Sequence, residues 1–143
     1  MRWLGVDSGK ARVGLGICDE DERIAVALEV VPANVAFPAI RSIAKREGVG
    51  GIVVGLPLTL DGREGEAAAM ARRLGDRIAA KLDLPVEYED ERLTSVAAKR
   101  ATLYRSRPSD DIAAALLLQQ FIDRRRREGE RAAADAARGG ERG

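Results

Sequence analysis

The apolar and polar runs at the start of the chain predict three consecutive β-strands. Apolar residues 3–6 lead into the turn-forming sequence Asp7-Ser8-Gly9-Lys10, and a second apolar run at 13–18 follows at once. An acidic turn at 19–22 then precedes a third run at 24–31. Short apolar runs separated by turn residues are typical of paired strands. We therefore expect an antiparallel meander.

The remaining pattern alternates between helices and strands. Residues 38–47 place their apolar side chains on one helical face, and Gly48 closes this helix. The continuous apolar run at 52–56 is typical of a parallel strand covered on both faces. Further elements are predicted as a helix at 64–82, a strand at 84–89, and helices at 95–104 and 109–127.

The element order βββαβαβαα predicts one α/β domain. Three antiparallel strands followed by two crossover units give a mixed five-stranded sheet with helices on its faces. We expect this domain to span residues 1–123, and residues 124–143 to form an Arg-rich helix end and a frayed tail. The four arginines at 124–127 either bind phosphates or lie on a solvated helix end.

Composition narrows the chemistry to carboxylates. The 143 residues include no histidine and one cysteine, and the formal net charge is +1. Ser-His and Cys-His catalysis is therefore excluded, and a structural zinc site is disfavoured. No apolar run approaches the roughly 20 residues that span a membrane. We expect a cytoplasmic protein without a membrane partner.

Three regions bring carboxylates to the ends of apolar elements. Asp7 ends the first strand, Asp90 and Glu91 follow the last, and Asp110 and Asp111 precede the final apolar helix. Converging carboxylates suit Mg²⁺ or Mn²⁺, which prefer oxygen ligands. A site with two such ions can hydrolyse phosphodiester bonds.

Each region also has a simpler structural interpretation. Asp110 and Asp111 can complement the helix dipole. Residues 90–92 can form an exposed charged turn, and Asp7 can be an ordinary turn residue at a strand end. Composition and spacing alone therefore leave these alternatives open.

Four motifs in order carry a family resemblance. They are Asp-Ser-Gly-Lys-Ala-Arg-Val-Gly at 7–14, Gly-Leu-Pro-Leu at 55–58, Asp-Gly at 61–62, and Asp-Glu-Arg-Leu-Thr-Ser at 90–95. Asp110 then precedes an Ala-rich apolar helix that reaches Gln119. From residue 4 to about 122, the sequence resembles the YqgF family, also called the RuvX or Holliday junction resolvase family.

The resemblance implies an RNase H-like fold and a bacterial, metal-dependent nuclease that trims the 5′ end of precursor 16S ribosomal RNA. Resolution of branched DNA is the other activity associated with the family. The catalytic and metal-binding carboxylates carried over are Asp7, Glu91 and Asp110, with Mg²⁺ or Mn²⁺ as cofactor. Asp90 is the alternative to Glu91 within its motif. Asp111 lies next to Asp110 in the sequence.

Basic residues predict where nucleic acid binds. Residues 92–109 contain five cations and no acid, and two more lie beside Asp7. Some of these are ordinary solvated positions; the rest would contact phosphates without reading sequence. The candidates are Lys10, Arg12, Arg92, Lys99, Arg100, Arg105 and Arg107.

Two departures from the family pattern stand out. The basic segment before the final helix is short, which weakens the inference to branched-junction binding. Gly16 stands where the first motif often has alanine, and we expect so small a change to be absorbed.

Three functional classes follow from the sequence. A nuclease would act on structured precursor rRNA, or on branched DNA, and the latter requires a dimer because two strands are cut. A non-catalytic ribosome-assembly factor would keep the fold and bind RNA. An actin-like kinase shares an Asp-x-Gly hairpin but needs two such domains, whereas this chain supplies one. A monomer and a homodimer are both compatible with the sequence.

Overall fold

A computed structural model describes residues 1–92 and 110–140, with side chains described at 1–92 and 111–139. Five strands form one sheet. They are β1 (Trp3–Ser8), β2 (Arg12–Cys18), β3 (Ala25–Pro32), β4 (Gly51–Leu56) and β5 (Val86–Asp90).

The sheet has the order β3-β2-β1-β4-β5. The β1–β2 and β2–β3 pairs are antiparallel, whereas β1–β4 and β4–β5 are parallel. The expected meander followed by two crossover units is therefore confirmed. Because β1, β4 and β5 are parallel, their carboxyl ends lie at one edge of the sheet, near Asp7 and Asp90.

The described helices are α1 (Ala36–Glu47), α2 (Glu66–Leu82) and α3 (Asp110–Gly140), and a short 3₁₀ turn at Ala33–Val35 leads into α1. Gly48 ends α1 in the left-handed conformation, with φ of 64°, as its position after the apolar stripe predicts. The helix predicted at 95–104 lies outside the described residues.

Helix α3 continues well beyond residue 127, where the sequence analysis expected it to end. Its outer part is rich in Ala, Arg and Glu, which have high helix propensity. Ion pairs within the helix add support: Arg126 lies 2.5 Å from Asp123, and Arg138 pairs with Asp135. The division into a domain at 1–123 and a tail stays a prediction.

The sheet separates two apolar cores. On one face, α1 and α2 pack against alternate strand residues, including Leu4, Val6 and Ile52. On the other face, α3 packs Leu118, Phe121 and Ile122 over Trp3, Cys18 and Val53. None of the described helices combines the length and apolar content that a bilayer-spanning helix needs.

A pair of glycines lets α3 approach the sheet closely. Gly5 and Gly16 are partners across the β1–β2 ladder. A methyl group on Gly5 would lie 2.9 Å from the Ala114 carbonyl oxygen, and one on Gly16 would lie 2.9 Å from the Ala115 nitrogen. The obstructing atoms are helix backbone, so an added methyl group at position 16 would require α3 to shift.

Gly16→Ala is expected to lower the free energy of unfolding by about 1–3 kcal/mol, because α3 must shift to accept the methyl group. Gly129→Ala is the matched control. Gly129 lies in α3 with no atom within 4 Å of the added methyl group, so it should gain up to about 1 kcal/mol from helix propensity. Urea unfolding measures both changes. Equal effects of the two substitutions would contradict the close packing.

Two arginines of the 124–127 run form ion pairs that join α3 to β5 and to the β2–β3 turn. Arg124 lies 2.6 Å from Glu89, a β5 residue that is only 1% exposed, and Gln120 donates a second hydrogen bond to the same oxygen. Arg125 lies 2.7 Å from Glu22 in the β2–β3 turn. Arg124 and Arg125 are therefore not simply solvated, and they would have to give up an ion pair before binding a phosphate.

Arg124→Ala should reduce the free energy of unfolding by about 3 kcal/mol, because it leaves a buried carboxylate without its cation. Arg127→Ala serves as the control, since residue 127 is exposed and should change stability by less than about 0.5 kcal/mol. Adding Glu89→Gln to the Arg124 variant should restore part of the loss. No recovery in that double variant would show that the loss came from packing.

Candidate active site

Alternation along β1 directs Asp7 towards the α3 side of the sheet. Trp3 contacts Phe121, with ring centroids 4.9 Å apart, and Gly5 lies beneath Ala114. Side chains two residues apart on a strand share a face. Asp7 continues this series and lines a cleft with Ala113 of α3.

Glu91 reaches the same cleft from the end of β5. Its backbone N–H donates to the Leu56 carbonyl oxygen at 3.2 Å, which holds the residue beside the end of β4. Its side chain lies over Gly55, where an added methyl group would come within 2.5 Å of Glu91 Oε1. Asp7, Glu91, Ala113 and Leu117 line a cleft of about 70 Å³.

Asp7 and burial together alter the ionisation of Glu91. Burial, then hydrogen bonding and repulsion from Asp7 and the charge of Asp90, raises the pKa of Glu91 from its usual 4.5 to about 8. Glu91 Oε1 is buried and has no hydrogen-bond donor among the described residues. A cation in the cleft would compensate this cost.

The raised pKa of Glu91 predicts how the stability of the metal-free protein depends on pH. The unfolded chain releases this proton near pH 4.5, whereas the folded protein retains it up to about pH 8. The stabilising contribution is therefore complete below pH 4.5 and is lost as the pH rises through 8. In chelator, Glu91→Gln should unfold at higher urea than wild type at pH 9 and at similar urea at pH 5.

The control for this measurement is Glu87→Gln, which removes an exposed carboxylate from the same strand. It should change the urea midpoint little at either pH. A gain at pH 9 of the same size in both variants would mean that general charge repulsion, and not the cleft, causes the effect.

Asp90 has a different partner from Glu91. Its carboxylate lies 2.6 Å from the Arg92 guanidinium in a partly exposed ion pair, and that hydrogen bonding lowers the pKa of Asp90. The charged-turn interpretation therefore describes Asp90 and Arg92. The geometry favours Glu91, the first choice of the sequence analysis, as the member of this motif that faces Asp7.

The start of α3 bears on the choice between Asp110 and Asp111. Position 110 precedes Ala113 by three residues and Leu117 by seven, so that it shares their helical stripe along the cleft. The side chain of Asp110 lies outside the described part of the chain. Asp111 is half-buried, and its Oδ1 accepts a hydrogen bond from the Ile112 N–H at 2.9 Å.

Comparison with known proteins identifies the family. The sequence model of the RuvX family, described as Holliday junction resolvase, matches residues 1–124. The chain belongs to the RuvX family. The resemblance noted from the four motifs is thereby confirmed.

Relatives in this family have closely similar lengths. A Chloroflexus aggregans protein named "Putative pre-16S rRNA nuclease" is 43% identical, with 86% of this chain and 94% of that protein covered. A Thermosynechococcus vestitus protein of the same name is 41% identical, with 85% and 87% covered.

Solved structures support the fold. Thermus thermophilus RuvC superimposes with a TM-score of 0.60 at 18% identity, covering 87% of this chain and 96% of that chain. RuvC from the same organism in complex with Holliday junction substrate gives 0.57 at 20% identity, with 87% and 95% covered. The RNase H-like fold expected from the sequence is confirmed.

The described carboxylates of the cleft can supply part of a divalent-cation site. Within residues 1–92 and 111–139, no group of three or more carboxylate, imidazole or thiol side chains is arranged to hold a metal ion. Those residues supply two carboxylates, Asp7 and Glu91, and the orphaned oxygen of Glu91. This donor set suits a hard cation that keeps several waters.

The basic candidates divide into two groups. Lys10 is exposed in the β1–β2 turn and Arg12 is exposed at the start of β2, beside a groove of about 280 Å³ lined by the residues from Asp7 to Arg12. Arg92 lies next to the cleft but is engaged by Asp90. The candidates Lys99, Arg100, Arg105 and Arg107 lie outside the described residues.

Gly55 is a site residue whose role the sequence analysis missed. It was noted as part of a motif, but its function is to leave room for the Glu91 side chain. The available signal was a glycine within an otherwise β-branched apolar strand, which often marks a close approach. The pattern alone could not show which side chain approaches.

Proposed function

We propose that this chain is a divalent-metal-dependent nuclease that processes the 5′ end of precursor 16S ribosomal RNA. The observation that carries the proposal is the convergence of Asp7 and Glu91 in one cleft at the carboxyl edge of the parallel strands. Two half-buried carboxylates, one with a buried oxygen that lacks a hydrogen-bond donor among the described residues, are costly in the metal-free protein. Carboxylates with such perturbed ionisation are typical of functional sites, where their charge binds a cation or takes part in catalysis.

Asp7, Glu91 and Asp110 would hold Mg²⁺ or Mn²⁺. The bound ion would activate water and stabilise charge during phosphodiester hydrolysis. Asp7 is positioned by the β1–β2 ladder, and Glu91 by the Leu56 hydrogen bond and the space over Gly55. Because strand hydrogen bonds and close packing hold both residues, their carboxylates would present fixed positions to a metal ion.

Basic side chains around the cleft would hold the phosphates on either side of the scissile bond. Lys10 and Arg12 lie on the turn that follows Asp7, and Arg92 follows Glu91 directly. Asp90 orients the Arg92 guanidinium through hydrogen bonds of 2.6–3.1 Å. The candidates Lys99, Arg100, Arg105 and Arg107, which lie outside the described residues, are proposed to extend this contact.

The names of the relatives support RNA as the substrate, and an rRNA substrate would place the protein in the cytoplasm. The family description supports a second candidate function, resolution of four-way DNA junctions. A resolvase would need a homodimer to cut two strands, whereas trimming of RNA can be performed by a monomer.

The deciding experiment compares a precursor 16S 5′ fragment with a four-way DNA junction, with Mn²⁺ and with chelator. Asp7→Asn and Glu91→Gln should each reduce cleavage by about 100-fold or more, because each removes several kcal/mol of charge stabilisation. Asp21→Asn is the control, since residue 21 is exposed in the β2–β3 turn, away from the cleft. Circular dichroism should show the same folded signal for all variants.

The outcomes separate the functional classes. Metal-dependent cleavage of the RNA fragment supports the maturation nuclease. Symmetric cleavage of the junction by a dimer supports the resolvase. Equal RNA binding by wild type and Asp7→Asn, without cleavage of either substrate, would replace both with a non-catalytic assembly factor.

A further inference from the structure

Two further concavities near the active-site cleft are linked to it by shared lining residues. Asp7 lines both the cleft and the groove of the β1–β2 turn. Lys10 lines that groove and also a third one, of about 290 Å³, formed with the first turns of α2. The third groove is lined by Lys10, Glu66, Ala67, Ala69, Met70 and Arg73.

We infer that these concavities are the path of one strand of the nucleic-acid substrate, and that Arg73 of α2 is a phosphate contact on it. The inference rests on the proposed function in taking nucleic acid as the substrate, and adds the direction in which the strand leaves the cleft. Concavities that share Asp7 and Lys10 with one another and are lined by Lys10 and Arg73 complement a phosphate backbone.

Arg73 differs from the neighbouring arginines of α2. The Arg72 guanidinium is held by Glu64 at 2.5 and 2.9 Å, and Arg77 lies over the Phe37 ring at 4.1 Å. Arg73 is exposed and has no carboxylate within ion-pair distance among the described residues. It can therefore bind a phosphate without first breaking an ion pair.

Glu66 opposes this role within the same groove. It is exposed and lies on the groove wall with Lys10 and Arg73, so that these three side chains sum to one positive charge. If a phosphate passes here, the Glu66 carboxylate repels it. Removing the two charges on α2 should then change affinity in opposite directions.

The test measures the affinity of a fluorescein-labelled precursor 16S 5′ fragment by anisotropy, in chelator and at several KCl concentrations. Arg73→Gln should weaken binding by about fivefold at 0.1 M salt and reduce the salt slope by about 0.7, as for one lost phosphate contact. Glu66→Gln should strengthen binding by about twofold. Lys45→Gln is the matched control, since Lys45 is exposed near the end of α1, which leads into β4 at the edge opposite the cleft.

A cross-linking measurement tests the path itself. Cys18 is buried, so a cysteine introduced at exposed Ala69 can carry a photo-cross-linker selectively. Ala69→Cys should cross-link to nucleotides on one side of the cleavage site. Ala80→Cys, near the far end of α2, should give little cross-linking.

The results keep the two proposals distinguishable. If the RNA is cleaved but Arg73→Gln binds like Lys45→Gln, the strand path is wrong and the nuclease function stands. Cross-links spread over both sides of the cleavage site would also overturn the path. If cleavage fails while Arg73→Gln weakens binding selectively, the path stands and the catalytic function is wrong.

Discussion

The close contact between α3 and the glycine pair of β1 and β2 determines the geometry of the site. Gly5 and Gly16 leave the Ala114–Ala115 backbone resting directly on the sheet. With that contact fixed, Ala113 and Leu117 of α3 line the cleft with Asp7, and position 110 precedes Ala113 by about one turn on the same stripe. The close packing of α3 on the sheet thus fixes the position of the helix residues that line the cleft. Protein interiors are packed so densely that even one added methyl group would displace the backbone.

Two carboxylates removed from water on the α3 side of the sheet carry an energetic cost. Glu89 and Glu91 are two residues apart on this side. Glu89 is compensated by Arg124 and Gln120, whereas Glu91 faces another carboxylate and has a pKa raised to about 8. The structure therefore neutralises one carboxylate and leaves its neighbour dependent on a proton or a cation. That difference separates a residue used for folding from one suited to chemistry.

Sequence patterning predicted the features that depend on local periodicity and on motif spacing. The meander, the buried parallel strand and the pairing of Asp7 with the residue 90–91 motif follow from such signals. The extension of α3 was missed because alanine and charged residues without an apolar stripe resemble a disordered tail until their helix propensity is summed. The roles of Gly16, Gly55 and the 124–127 arginines depend on partners far away in the chain. No local pattern specifies those partners.

The distribution of arginines shows how one residue type serves two purposes. Arg124 and Arg125 are bound to Glu89 and Glu22, where they join α3 to β5 and to the β2–β3 turn. A guanidinium held by a carboxylate must lose that bond before it can bind a phosphate. The densest run of positive charge is therefore largely committed to folding. Arg73, which is exposed and has no carboxylate within ion-pair distance among the described residues, is better placed to bind a polyanion. Whether an arginine is already paired with a carboxylate, more than local charge density, therefore bears on where nucleic acid can bind.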